Sequence, residues 1–296
     1  MHPLSHPRAI VLMVACTLLW STAGVVTRHL SPELQAQGRF EITFWRSVFA
    51  ALFVAGVLFI FRRQPLRVLW AGGWAGAVSG VMWAVMFTFF MLALTLTTVA
   101  NTLLVLSLAP LLTALLARAT LKSPIPARTW AAIAVATAGM VWMVSGGGRG
   151  HPAGAHLLGM LVAFAVPLAS AINLVTLQKT RAQVDLVPAV LIGGVLSALL
   201  VLPLALPVQA TAADLALLAG LGFFQLGLPC MLMVVAARTL AAPEIALLAL
   251  LEVVFGTAWA WLGAGEVPAS ATLAGGALVL AALVANEVVA LRRERT

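Results

Sequence analysis

Apolar residues along the chain form ten long runs, each separated from the next by a short segment containing charges, proline or glycine. An α-helix rises 1.5 Å per residue, so about 20 apolar residues cross the hydrocarbon core of a bilayer. The runs have that length and predict ten transmembrane helices, which we call spans 1 to 10. In chain order they cover residues 9–29, 40–61, 69–92, 97–117, 129–146, 157–178, 185–206, 213–236, 243–263 and 272–291.

The longest polar connection is the glycine-rich segment GGGRGHPAGA, Gly146–Ala155. It divides the chain into a five-span half at residues 1–146, a linker at 147–156 and a second five-span half at 157–296. Because five is odd, the two halves enter the membrane from opposite sides and have inverted topology, as in many secondary carriers. We therefore predict an all-α membrane protein whose ten transmembrane helices form two inverted five-helix repeats.

Composition and charge agree with this layout. Apolar residues make up 62% of the chain and charged residues 9%, whereas soluble domains are about 45–50% apolar and about 25% charged. The net charge of +8 comes from basic residues in short loops, which argues against nucleic-acid binding. Thirteen of the seventeen lysine and arginine residues lie in loops on the side of the membrane that holds the N-terminus. Three, Arg28, Arg39 and Arg149, lie on the other side, and Arg46 lies within span 2. Positive loops face the cytoplasm, so both termini are predicted to be cytoplasmic in a multi-pass protein of the cytoplasmic (inner) membrane.

Reactive side chains form no catalytic or metal-binding pattern. Cys16 and Cys230 lie inside apolar runs without metal spacing, and the five histidines are scattered. No phosphate-binding loop occurs, so ATP-driven transport would need a partner. We predict no enzymatic activity and no cofactor.

Arg46 lies about two turns inside span 2 and Glu252 lies in the middle of span 9, where ionisable side chains cost free energy and usually face the bundle interior. Arg46 has two interpretations: it attracts a substrate carboxylate, or it has a structural role in which its head extends to the membrane surface or caps backbone carbonyls at the rim. Glu252 also has two interpretations: it holds a substrate ammonium or a proton, or it is protonated, because burial disfavours the charge, and hydrogen-bonds a neighbouring helix end. The sequence leaves both pairs open.

Inverted repeats place a carrier's site at their interface near the middle of the bilayer. The matched spans there are 1 and 6, 3 and 8, and 4 and 9, whereas spans 5 and 10, poor in polar side chains, are predicted at the periphery. A site for a small amphipathic solute needs apolar walls and a few polar groups. The mid-depth candidates are Trp20, Met82, Trp83, Met86, Asn101, Ser107, Pro110, Asn173, Gln225, Pro229 and Glu252. For each of them, helix packing or a structural kink is the alternative role.

Several segments resemble the ten-helix EamA-type exporters of the drug/metabolite transporter superfamily. They are LLWSTAGVV at Leu18–Val26, FWRSVFAALF at Phe44–Phe53, the run Ala93–Leu116, TAGMVWM at Thr137–Met143, and the run Pro243–Pro268. The resemblance implies a secondary exporter of small metabolites that works by alternating access. It is nearest to aromatic amino-acid exporters, which makes amino acids with aromatic or bulky apolar side chains the expected substrates.

The expected partners are this substrate and membrane lipid, and the expected assembly is a monomer or weak dimer. A passive channel or a uniporter for other small solutes is the alternative function, and an intramembrane enzyme is the least favoured. A channel is expected to show a repeated polar ring and an enzyme paired acid and base groups, and neither occurs in the sequence.

Overall fold

The computed structural model describes residues 4–62, 64–96, 102, 105–122, 124–145, 153–180, 184–264 and 270–294. In these residues the prediction of an all-helical membrane protein is confirmed. Six helices of this part are long and apolar enough to cross a bilayer, and two further apolar helices are shorter. The α-helices, numbered in chain order, are α1 (His6–Trp20), α2 (Ala23–Thr27), α3 (Pro32–Gln37), α4 (Arg39–Phe61), α5 (Pro65–Ala71), α6 (Gly73–Leu96), α7 (Ala109–Leu121), α8 (Ala127–Ser145), α9 (Ala153–Thr180), α10 (Val187–Val201), α11 (Ala212–Gly220), α12 (Leu228–Ala236), α13 (Ala242–Ala249), α14 (Leu251–Ala264) and α15 (Ser270–Glu294).

Helical residues occur in all ten predicted spans, but several spans are interrupted. Span 3 changes direction at Gly73, whose φ of +50° is open to glycine and unfavourable for most other residues. Span 8 contains a π-helical segment, Leu221–Gly227, between α11 and α12. Span 4 turns at Ser107 and Leu108, just before α7, and span 9 turns at Leu250, between α13 and α14. Interrupted helices of this kind leave backbone groups that must be satisfied inside the protein.

Helix α10 lies between α4 and α6 and touches both through glycine. A Cβ at Gly193 would overlap the Cβ of Trp83 on α6, and a Cβ at Gly194 would lie 3.0 Å from the Ser47 carbonyl on α4. Gly80 on α6 lies at the same crossing, where a Cβ would overlap Ile192. Small residues let helix backbones approach closely where the bilayer supplies no hydrophobic driving force.

Buried hydroxyl and amide groups join the same helices. Ser197 on α10 bonds the hydroxyls of Ser47 and Thr88, at 3.0 Å each. Ser79 on α6 donates to the Asn173 side-chain oxygen on α9 at 2.7 Å. Each bond of this type contributes about 0.6 kcal/mol in a membrane protein, so together they set the mutual orientation of the helices more than their stability.

The helices of spans 5 and 10, α8 and α15, pack against each other. Gly139 on α8 lies close to the backbone of α15, where a Cβ would be 2.8 Å from the Gly275 carbonyl oxygen. The solvent- or lipid-facing side of α8 carries Trp142, which is 52% exposed. This pair lies beside the bundle.

Polar contacts connect the loops at both ends of the bundle. At the end that holds the N-terminus, His6 lies 2.7 Å from Glu244, and Asp185 accepts from both Arg62 and Arg238. At the opposite end, the Glu41 carboxylate accepts from the backbone N–H groups of residues 209 and 210. Asp214 there accepts from the Ser31 backbone N–H at 2.7 Å. The chain halves are thus tied to each other on both sides.

Candidate functional site

A cavity of about 190 Å³ lies in the middle of the bundle. Its walls come from spans 1, 2, 3, 4, 6, 8 and 9, so both halves of the chain contribute. In the described part of the chain, spans 5, 7 and 10 add no lining residue. The cavity therefore lies where the sequence predicts the interface between the halves.

Aromatic and aliphatic side chains form most of the wall. Trp83, Met86, Phe87 and Phe90 on α6 line one side, because residues three and four apart share a helix face. The rings of Trp83 and Phe87 lie 5.5 Å apart between centroids. Trp83 is 2% exposed, and its indole N–H has no acceptor in the described part of the chain. These rings form a broad apolar surface next to an unsatisfied donor.

Helix α9 supplies the facing wall, with Val166, Pro167, Ser170 and Leu174. Pro167 lies inside this helix and has no backbone N–H to donate to the carbonyl four residues earlier. Pro167, Ser170 and Asn173 follow each other at intervals of three residues and share a face of this helix. Pro167 and Ser170 border the cavity, whereas Asn173 is fully buried against Ser79.

Arg46 reaches the cavity from α4 and is 7% exposed. One terminal nitrogen, Nη2, donates to the Gln225 side-chain oxygen at 2.9 Å, and Nη1 lies 3.5 Å from the Met91 sulfur. Gln225 in turn donates through Nε2 to the Trp20 carbonyl at 3.2 Å. Both ends of the amide are therefore used, and Gln225 holds the guanidinium in place between spans 1, 2 and 8.

The π-helical segment explains the position of Gln225. A π-helical turn contains an extra residue and redirects the side chains that follow. Gly222, in the same segment, packs so closely on α4 that a Cβ there would overlap Phe49 and lie 2.9 Å from the Arg46 carbonyl oxygen. The segment thus brings the amide next to the guanidinium.

Glu252 enters the cavity from α14, two residues after the turn at Leu250. It is half-buried, and no hydrogen bond or ion pair within 4.0 Å joins it to the described residues. Its carboxylate and the Arg46 guanidinium attract each other electrostatically without being in contact. The cavity therefore holds a guanidinium and a carboxyl group that do not pair directly.

Five of the predicted candidates line this cavity: Trp20, Trp83, Met86, Gln225 and Glu252. Five others do not. Met82 is not a lining residue, although it lies four residues before Met86 on α6, and Ser107 and Pro110 are buried around the start of α7, beside the lining residue Ala109. Asn173 bonds Ser79, and Pro229 is buried with its carbonyl accepting from the Cys16 thiol at 3.3 Å. Asn101 lies outside the described residues.

Further lining residues were absent from the candidates predicted from the sequence. Phe87 and Phe90 line the cavity on the same helix face as Trp83. Their spacing in the sequence predicts this shared face, but an aromatic face is equally typical of contact with lipid. Cys230 and Met233 also line the cavity, from α12. They lie in an apolar run, so the sequence does not distinguish them from residues that face lipid. Arg46 was predicted to have either of two roles, and its burial excludes the interpretation in which its head extends to the surface.

An all-helical chain with several membrane-length apolar helices around a central cavity is a multi-pass membrane protein. Residues 7–145 match the sequence model of the EamA-like transporter family, a family of membrane transporters. A crystal structure of a protein that is 21% identical in sequence superposes with a TM-score of 0.79, over 98% of this chain and 100% of its own. At this identity the similarity shows a shared fold. No curated protein sequence matches the chain.

Proposed function

We propose that the protein is an EamA-like secondary carrier that exports small amphipathic metabolites, with amino acids bearing aromatic or bulky apolar side chains as its main substrates. The observation that carries this proposal is the central cavity, which combines aromatic walls with a guanidinium, a carboxylate and a hydroxyl. Apolar walls with a few convergent polar groups are typical of sites for small amphipathic ligands. The family match over the first half agrees with transport of a small solute.

An inverted repeat is the second part of the proposal, and the packing supports it. In an inverted repeat, each span of one half corresponds to the span five places later in the other half. Span 3 packs on spans 6 and 7, and its counterpart, span 8, packs on spans 1 and 2. Likewise span 4 contacts span 6, and its counterpart, span 9, contacts span 1. The turns in spans 4 and 9 occupy corresponding positions, because Ser107 and Leu250 are 143 residues apart. The same offset aligns Ala109 in the first half with Glu252 in the second. Interrupted helices at corresponding positions of two halves are typical of carrier binding sites.

Alternating access follows from this arrangement. Rocking of one repeat against the other would open the cavity first to one side of the membrane and then to the other. The contacts of His6 with Glu244 and of Asp185 with two arginines lie at the end predicted to be cytoplasmic. They would have to separate when the cavity opens toward the cytoplasm.

Flux measurements in proteoliposomes test the function. A carrier is expected to exchange labelled phenylalanine with a rate that saturates and is competed by unlabelled amino acids, and large apolar ones should compete best. A passive channel would instead give flux that rises linearly with concentration and is not competed. The Trp20 and Trp83 side chains provide a second readout, since a bound ligand should change their fluorescence.

The orientation can be tested with single cysteines on a background lacking Cys16 and Cys230. The charge distribution leads us to expect that a cysteine at Pro65 is protected from an impermeant maleimide in intact cells and that one at Gly150 reacts. Both should react after permeabilisation, which controls for local accessibility. The reverse pattern in intact cells would mean that the termini face outward.

A further inference from the structure

The cavity contains a buried cation that has no anionic partner among the described residues. Arg46 is 7% exposed, and its only hydrogen-bond partners in the described residues are an amide oxygen and a thioether sulfur. Its Nε is buried without an acceptor in the same part of the chain. A guanidinium has five N–H donors in a planar fork that fits a carboxylate. The chain thus uses one N–H on each terminal nitrogen and leaves the second N–H of each without a partner among the described residues.

A carboxylate faces the same cavity from another helix. Glu252, on α14, has no hydrogen-bond donor or cation within contact distance among the described residues, although Arg46 attracts it from farther away. Charges removed from water cost free energy unless they are paired. Two opposite charges in one membrane-embedded cavity, kept apart, make a site that a ligand carrying both charges would complete.

Gln225 fixes the position of the guanidinium. Its side-chain oxygen accepts from Arg46 while its nitrogen donates to the Trp20 carbonyl, so the guanidinium is held between spans 1, 2 and 8. Gln225 is therefore a positioning residue, whose amide orients the cation without using its own groups for a ligand. The rings of Trp83, Phe87 and Phe90 border the same space.

We propose that Arg46 and Glu252 bind the two ends of a zwitterionic substrate, with the substrate carboxylate on Arg46 and its ammonium on Glu252. The proposal rests on the proposed function and assigns the residues that select the substrate within it. The apolar side chain of the substrate then lies against the α6 rings. A ligand that lacks either charged end leaves one protein charge unpaired, which makes the cavity selective for α-amino acids over amines and over carboxylates.

Three probes that share one ring system separate the two charges: phenylalanine, phenethylamine, which lacks the carboxylate, and 3-phenylpropionate, which lacks the ammonium. Each would compete for labelled phenylalanine flux, or change tryptophan fluorescence, in the purified full-length protein. For the wild type we expect phenylalanine to bind roughly 10-fold or more tightly than either analogue, since charge-assisted hydrogen bonds are stronger than neutral ones.

The variants should then show opposite defects. In Arg46→Gln, phenylalanine and 3-phenylpropionate should bind about 10-fold or more weakly, while phenethylamine should bind at least as tightly as to the wild type, since the unpaired cation is gone. In Glu252→Gln, phenylalanine and phenethylamine should weaken by a similar factor, while 3-phenylpropionate should bind at least as tightly as to the wild type. Arg39→Gln, on the exposed start of the same helix α4, and Glu33→Gln, exposed on α3, are the matched controls and should leave all three affinities intact.

Arg46→Lys covers the case in which Arg46→Gln fails to fold. A lysine keeps the charge but loses the fork, so the two carboxylate-containing probes should weaken severalfold and phenethylamine should not. Equal weakening of all three probes in both cavity variants, or none, would overturn this assignment while leaving the transport function intact. Absence of saturable phenylalanine flux and of phenylalanine binding in the wild type would overturn both.

Discussion

Replacing Gly222 by alanine should destabilise the protein markedly, whereas the same change at Gly220, two residues earlier, should be neutral or slightly stabilising. A Cβ at Gly222 would overlap the Phe49 Cβ and lie 2.9 Å from two backbone atoms of α4, at Arg46 and Ala50. Backbone atoms cannot rotate away, so the helices must separate. Overpacking of this kind costs about 1–3 kcal/mol, and we expect the upper end of that range.

Gly220 is the matched control because a Cβ there meets no atom within 4 Å. Glycine in a helix interior is less favourable than alanine by about 0.5–1 kcal/mol, so Gly220→Ala should raise the stability slightly. Thermal unfolding in detergent, followed by intrinsic fluorescence, measures both effects. If the two variants unfold at the same temperature, the close packing of the π-helical segment on α4 is not a source of stability.

The second large effect is expected at the aromatic wall. Trp83→Ala should weaken transport of phenylalanine or tryptophan relative to alanine by about 10-fold, because an aromatic substrate loses its ring contact and apolar burial while a small one loses little. Trp83 lines the cavity and is 2% exposed. The ratio of the two transport rates, measured at equal amounts of folded protein in proteoliposomes, is the readout.

Trp142→Ala removes the same side chain from α8, beside the bundle, where Trp142 is 52% exposed. It should leave the large-to-small ratio unchanged. Because truncation of a buried tryptophan commonly costs 3–5 kcal/mol of stability, Trp83→Leu serves as a milder variant and should shift the ratio in the same direction. An unchanged ratio in both Trp83 variants would exclude helix α6 from the substrate-binding wall.

The sequence alone determined the class of fold, because apolar run length is a strong local signal in membrane proteins. Every described regular element is helical, and helical residues occur in all ten predicted spans. Local patterns also predicted that Trp83 and Glu252 lie at middle depth, since position along a span follows from counting residues at a fixed helical rise. The depth of a residue in the membrane depends only on its distance along the helix, which the sequence specifies.

The tertiary structure decided which face of each helix meets the cavity. Pro167, Ser170 and Asn173 have the same helical spacing, yet Ser79 on another helix binds Asn173 and removes it from the cavity. The sequence left the direction of the Arg46 side chain open, whereas in the structure the π-helical segment brings Gln225 to its guanidinium from 179 positions away and keeps it buried. Most faces of a membrane helix are apolar, so the sequence does not show which face points to the cavity. The rotation of each helix about its axis is determined by the packing of glycines against other helices and by hydrogen bonds between helices.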